Sequence, residues 1–142
     1  MKCYVLDASV VCRFLLAEDL SDRAEQVLRD FLEGRLDLMA PKLVVYEVGN
    51  TLWRAVSQGL LHLEEALEKL SYLSGLGIAS IELGDDERAE ALRWSVRKEA
   101  TYNDSVYVVS AKTTSATLLT ADDDLHQKAR GEVLTTHLKD YR

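Results

Sequence analysis

The chain of 142 residues contains two cysteines and one proline. Cys3 and Cys12 stand close together in the sequence, and His62, His126 and His137 are scattered. No zinc-finger spacing exists among them. The cysteines are expected as reduced core residues, one on a strand and one on the next helix, without a disulfide. Seven glycines and a single proline exclude a collagenous or low-complexity chain. No apolar run approaches the roughly 20 residues of a membrane span. Met1-Lys2 leads straight into a strand pattern without a secretory leader, so a cytoplasmic location away from membranes is expected. Positive charge is in deficit, with 17 Lys and Arg against 24 Asp and Glu, for a net charge of −7. That excludes a protein that coats duplexes by bulk positive charge. It leaves nucleic acid open as a substrate, because cations in an acidic site can hold phosphate.

What is present is an ordinary globular balance, 47% apolar and 29% charged. Area scaling gives about 7,300 Å² folded against about 23,000 Å² unfolded, enough for one domain with its own core. Lys2 to Leu6 reads as a strand that ends abruptly at Asp7. Val10 to Leu16 reads as a short helix. Ser21 is placed as the N-cap of a second helix, with Ala24, Val27, Leu28, Phe31 and Leu32 at helical spacing. Leu36 to Ala40 is a second strand, and Pro41 is expected to start a third helix whose apolar face is Val45, Val48, Leu52 and Val56. A leucine-rich helix follows from Leu63, broken by Gly75 and Gly77. Ile78 to Leu83 is a third strand. Asp85 is taken as the cap of a helix over 86–99 with Ala89, Leu92 and Val96 inward. Asn103 to Thr113 is apolar on most faces and is expected to be central. Thr117 to Thr120 is a fourth strand, Leu125 to Arg130 a short helix, and Glu132 to Thr135 a weak fifth strand.

Strands alternating with helices predict a three-layer α/β/α sandwich with a mainly parallel sheet. Ligands of such sheets bind beyond the carboxyl ends of the strands. Asp7, the Pro41 segment, Gly84-Asp85, Ala121-Asp122 and Thr136-His137 occupy those positions.

Taken singly, the acids there have ordinary roles. Asp7 and Asp122 each follow a strand and suit an N-cap. Asp104 lies in the first turn of a helix, where a carboxylate complements the macrodipole. Glu47 lies mid-helix, where most glutamates face water. Together they say more. Glu47, Asn50 and Arg54 form a polar stripe at i, i+3, i+7 beside an apolar one. Asp104 opens an apolar helix with no basic neighbour from Thr101 to Ala111. Two carboxylates ~4 Å apart repel by roughly 4 kcal/mol at an effective dielectric near 20. A converging group therefore needs Mg²⁺ or Mn²⁺, hard ions suited to all-oxygen ligands, or substantial protonation. Phosphodiester cleavage is the chemistry that suits such a cluster, since the ions activate water and neutralise the leaving oxygen.

The sequence resembles the PIN-domain ribonucleases. Asp7-Ala8-Ser9 is similar to their opening motif. Tyr46-Glu47-Val48-Gly49-Asn50 resembles their helix motif, Asn103-Asp104-Ser105 with Tyr107 and Ala111 their third, and Leu118-Leu119-Thr120-Ala121-Asp122 their last. The order and spacing match essentially the whole chain, 1–142, and the size resembles the VapC-type toxins of toxin–antitoxin pairs. The resemblance implies a five-stranded sheet of order 3-2-1-4-5. It further implies endonucleolytic cleavage of single-stranded or loop RNA with Mg²⁺ or Mn²⁺, a homodimer, and inhibition by a small antitoxin. By the same resemblance Asp7, Glu47, Asp104 and Asp122 bind metal, with Asp124 left open as a further ligand. Ser9, Asn50 and Thr120 orient them. Asn103 departs from the family, which often has an aromatic there; here Tyr102 stands one place earlier.

Arg13 and Arg54 are candidate RNA contacts, with surface ion pairs as their ordinary role. Trp53 and Trp94 read as core or interface anchors. The three histidines read as surface residues. An exposed leucine-rich fourth helix would suit a dimer or antitoxin contact. Two other readings stay open: a PIN-fold nuclease for RNA maturation or DNA, and a receiver-like Mg²⁺-binding signalling module. The latter normally needs an acid pair after the first strand and a lysine after the fifth, where this chain has Asp7 alone and His137.

Overall fold

The computed structural model describes residues 1–142. Five strands alternate with seven helices: β1 (Lys2–Leu6), α1 (Ala8–Leu15), α2 (Ser21–Leu32), β2 (Leu36–Pro41), α3 (Leu43–Ser57), α4 (Leu63–Gly75), β3 (Ala79–Ile81), α5 (Asp85–Lys98), α6 (Tyr102–Thr114), β4 (Thr117–Thr120), α7 (Asp123–Ala129) and β5 (Thr135–His137). A 3₁₀ turn, Leu138–Asp140, follows. The strands form one sheet of order β3-β2-β1-β4-β5, parallel throughout. A receiver-like domain has the order 2-1-3-4-5. The observed order is a different topology and removes that reading.

Consecutive residues of the central strands are buried, Tyr4, Val5 and Leu6 in β1 and all four of β4. Side chains alternate between the two faces of a sheet, so both faces are covered. Helix α6 packs on β1, β2 and β4, with α5 against it, while α1 and α2 pack together. Leu6 of β1 is in register with Leu119 of β4, which sets Asp7 beside Thr120 at the carboxyl ends of the two strands. Here the chain order reverses, since β2 lies on one side of β1 and β4 on the other. Far from that end, Tyr141 donates its hydroxyl to the buried Asp30 at 2.5 Å and ties the last residues to α2.

Several boundaries differ from the sequence reading. Pro41 closes β2 in register with Ile81, where a missing N–H costs nothing beyond the ladder's end. Helix α3 starts two residues later. Ser21 begins α2 but does not cap it. Its hydroxyl accepts from Glu18 N and donates to Leu16 O, bracing the preceding loop, while Leu20 takes the cap in the left-handed region at φ 64°. Gly84, not Asp85, precedes α5, and β3 is shorter than the apolar run suggested. Strand β5 starts at Thr135, three residues late, and this shift buries His137.

The largest difference is the face of α5. Trp94 is 1% exposed and packs inward with Ala91, whereas Leu92 and Val96 are 57% and 75% exposed. Their i, i+4 spacing mimics a core stripe, but the indole fills more volume. Trp53, the other indole, is mostly exposed on α3. Trp94→Ala should lower unfolding free energy in urea by about 3–5 kcal/mol, and Leu92→Ala by less than about 0.5 kcal/mol. Equal losses would show that the inward face is drawn wrongly.

Candidate active site

Asp7 is the buried centre of the site. It follows β1 directly and caps α1, accepting from Val10 N at 3.4 Å. Ser9 donates its hydroxyl to Asp7 Oδ1 at 2.6 Å, and Thr120 donates to Oδ2 at 2.7 Å. Those hydroxyls are themselves fixed from the loop after β4. Ala121 N donates to Ser9 Oγ at 2.8 Å, and Asp122 N to Thr120 Oγ1 at 3.0 Å. Two neutral hydroxyls do not replace the water lost on burial. Burial, opposed by these hydrogen bonds and reinforced by the charge of Asp122, lifts the Asp7 carboxyl from 3.8 to about 6.

Asp104 stands in the first turn of α6, with Thr101 Oγ1 accepting from its amide at 3.1 Å. Its pKa is raised, first by burial and then by the charges of Asp122, Glu47 and Asp124. Asp122 caps α7, where Oδ1 accepts from Asp124 N at 2.9 Å and Leu125 N at 3.1 Å. Its structural role is therefore real and occupies one oxygen. Glu47 reaches across from α3 to α6. Tyr107 donates its hydroxyl to Oε1 at 2.5 Å, and Asn103 Nδ2 lies 3.5 Å from Oε2.

None of Asp7, Glu47, Asp104 and Asp122 belongs to an ion pair with a basic side chain. Asp124 differs, pairing with Lys128 at 3.2 Å on the exposed side of α7. No group of three or more His, Cys, Asp or Glu side chains is drawn tightly enough to grip one ion. Electrostatic coupling nonetheless links them, since Asp122 and Glu47 raise the Asp104 pKa and Asp122 raises that of Asp7. The donor set, all carboxylate and hydroxyl oxygen with no thiolate or imidazole among the four acids, fits a hard divalent ion.

The PIN domain family model matches residues 4–131. The chain belongs to that family. Ribonuclease VapC3 of Pyrobaculum aerophilum is 35% identical over 130 residues, 87% of this chain and 92% of that protein. Exonuclease VapC9 of the same organism is 29% identical over 104 residues, 72% of this chain and 75% of that one. Among solved structures, PAE2754 from P. aerophilum superposes with a TM-score of 0.73 at 22% identity, covering 97% of this chain and 92% of that one. VapBC2 from Rickettsia felis, bound to a DNA fragment from its promoter, gives 0.70 at 14% identity, covering 95% and 98%. At these identities the structures speak for the fold alone.

Within this PIN domain the remaining candidates take varied positions. Ser9 and Thr120 both touch Asp7. Asn50 lies exposed in a groove beside Glu47, and the side chains that donate to Glu47 are those of Tyr107 and Asn103 instead. Arg13 is turned to internal work, donating to Ser9 O and Asp19 and bracing the α1–α2 loop. Arg54 lines the groove with only Thr51 as partner. His137, expected at the surface, is buried. Its Nδ1 accepts from Lys139 N, and its Nε2 is 2.8 Å from Asp123 Oδ1 but off the line of a hydrogen bond. Tyr107, quoted above only as part of the third motif, is the side chain whose contact with Glu47 periodicity hid, because an aromatic in an apolar helix reads as core. Its i+3 spacing from Asp104 was the available signal.

The raised Asp7 pKa has a definite sign in stability. Between pH 3.8 and about 6 the folded state keeps a proton that the unfolded chain releases, so stability falls as pH rises through that window. The charged carboxylate costs the fold roughly 3 kcal/mol above it. In urea unfolding, Asp7→Asn should exceed wild type by up to about 3 kcal/mol at pH 7.5, with the gap closing near pH 3.5. A variant less stable than wild type at pH 7.5 would contradict the burial account.

Proposed function

We propose that this chain is a divalent-metal-dependent endoribonuclease, the toxin of a toxin–antitoxin pair. The observation that carries this reading is the set of four carboxylates, linked electrostatically and without basic partners, at the switch point of a PIN fold. The 35% identity to a protein named ribonuclease VapC3 supports the choice of RNA.

Asp7, Glu47, Asp104 and Asp122 would hold Mg²⁺ or Mn²⁺, with the exposed Asp124 reachable only by giving up Lys128. When bound, such an ion supplies an activated water and neutralises the leaving oxygen. The chain's own residues do the rest. Ser9 and Thr120 fix both oxygens of Asp7, and Tyr107 and Asn103 aim Glu47. The negative net charge makes backbone attraction local to the site.

Exposed apolar side chains on and after α3 and on α4, Trp53, Leu60, Leu63 and Leu67, support a protein partner there, antitoxin or second copy. The VapBC2 complex and FitAcB from Neisseria gonorrhoeae share the fold, with TM-scores of 0.70 and 0.68. No helix is long and apolar enough to cross a membrane, in keeping with a cytoplasmic nuclease.

A second reading follows from VapC9, named as an exonuclease. Closed circular single-stranded RNA distinguishes the two because it has no end. Wild type should open the circle with Mg²⁺ or Mn²⁺ and not with chelator. Asp104→Asn should be slower by at least about 100-fold, the scale for losing a charge-stabilising group, with its circular dichroism unchanged. Intact circles beside degraded linear RNA would favour the exonuclease reading. Equal cutting by the mutant would remove Asp104 from the mechanism.

A further inference from the structure

Two shallow tracts of about 460 and 340 Å³ are both lined by Leu43 and Asn103, and the larger is also lined by Glu47. They adjoin at Leu43 and Asn103, near the carboxyl ends of β1, β2 and β3. The first tract carries Glu47, with Tyr46 and Arg54 beside it. The second carries Tyr102 and Lys42. Tyr46 is 72% exposed and Tyr102 38% exposed, although a tyrosine ring is costly to leave in water. Neither hydroxyl has a hydrogen-bond partner within the chain, in contrast to the buried Tyr107 and Tyr141. Lys42 and Arg54 are the cations of the groove without a carboxylate partner. Arg88, at the far end, is neutralised by Asp85. On a chain of net charge −7, two unpaired cations interleaved with two exposed aromatics stand out.

We propose that Tyr46 and Tyr102 are stacking platforms for unpaired bases of the RNA, with Lys42 and Arg54 on its phosphates. The inference rests on the ribonuclease reading above and adds the side chains that seat an unpaired strand. An aromatic face accepts any base, so stacking gives affinity with little sequence preference. It requires bases free of a helix, because an A-form duplex hides their faces. A single strand can lay one base on Tyr102 and another on Tyr46, and Asn103, shared by both tracts, lies beside Asp104. Such a strand would run past Glu47, which lines the larger tract.

Binding separates this inference from the chemistry. A fluorescein-labelled 12-nucleotide RNA of mixed, unstructured sequence would be titrated by anisotropy with excess chelator present, so that no cutting occurs. The same strand annealed to its complement is the second probe. Wild type should bind the single strand at least about ten-fold tighter than the duplex. Tyr46→Ala and Tyr102→Ala should each weaken single-strand binding about ten-fold, and Tyr→Trp at either place should restore it. Lys42→Ala with Arg54→Ala should flatten the salt dependence, by a slope change of roughly 1–2. In cleavage assays the Tyr→Ala changes should raise KM with kcat held. Wild-type binding by both alanine variants, or equal affinity for the duplex, would overturn the proposal. If wild type cleaves RNA in that case, the nuclease reading stands and only the stacking groove falls. If wild type neither binds nor cleaves RNA, both fall together.

Discussion

The pairing of β1 with β4 is the constraint on which the site depends. It places a carboxylate and a threonine side by side at the carboxyl ends of two buried parallel strands. Asp7 is then held on both oxygens, by Ser9 from its own strand–helix turn and by Thr120 from across the sheet. The amides of Ala121 and Asp122 hold those two hydroxyls in turn. Backbone, hydroxyl and carboxylate thus form one connected network, and its single buried charge is the group most costly to leave alone. A network of this kind is stiff when satisfied. Its stiffness positions Asp122, which like Asp7 commits one carboxylate oxygen to a helix cap.

Around that fixed centre the other acids are brought in by helices. Asp104 arrives with α6, which packs directly on the sheet, and Glu47 crosses from α3 to the hydroxyl of Tyr107. Helix α6 therefore does two jobs. Its apolar faces fill the core and its first turns carry Asp104, Asn103 and Tyr107. The net effect is a cluster of negative charge with no internal cation, in a chain whose arginines and lysines near other acids are mostly engaged in pairs. Under the reading proposed above, a divalent ion would offset the stability that such a grouping of acids costs the fold.

Much of this was legible in the sequence because the informative residues sit at strand ends. Asp7 and Asp122 are read from their place after apolar runs, Thr120 enters only through the family resemblance, and the alternation of strands and helices leads to the parallel sheet. The legibility stops where volume or topology decides. Leu92 and Val96 have the spacing of a core stripe, yet Trp94 takes the inside of α5 because a larger surface is buried that way. Pro41 follows the rule for a helix start and sits instead at the end of a strand. The late start of β5 carries His137 into the core. Tyr107 was visible as a motif residue, but its bond to Glu47 spans 60 positions and no local pattern encodes it.

The central claim is that Asp7, charged and buried, is held ready for a divalent cation. Mn²⁺ titration followed by electron paramagnetic resonance tests it without any RNA. Wild type and Asp7→Asn would be compared at pH 7.5 and pH 5. Wild type should bind Mn²⁺ saturably at pH 7.5 and about ten-fold more weakly at pH 5, as protons compete for a carboxyl near pH 6. Asp7→Asn should lose the binding at both. Undiminished Mn²⁺ binding by the variant, or none by wild type, would contradict the account.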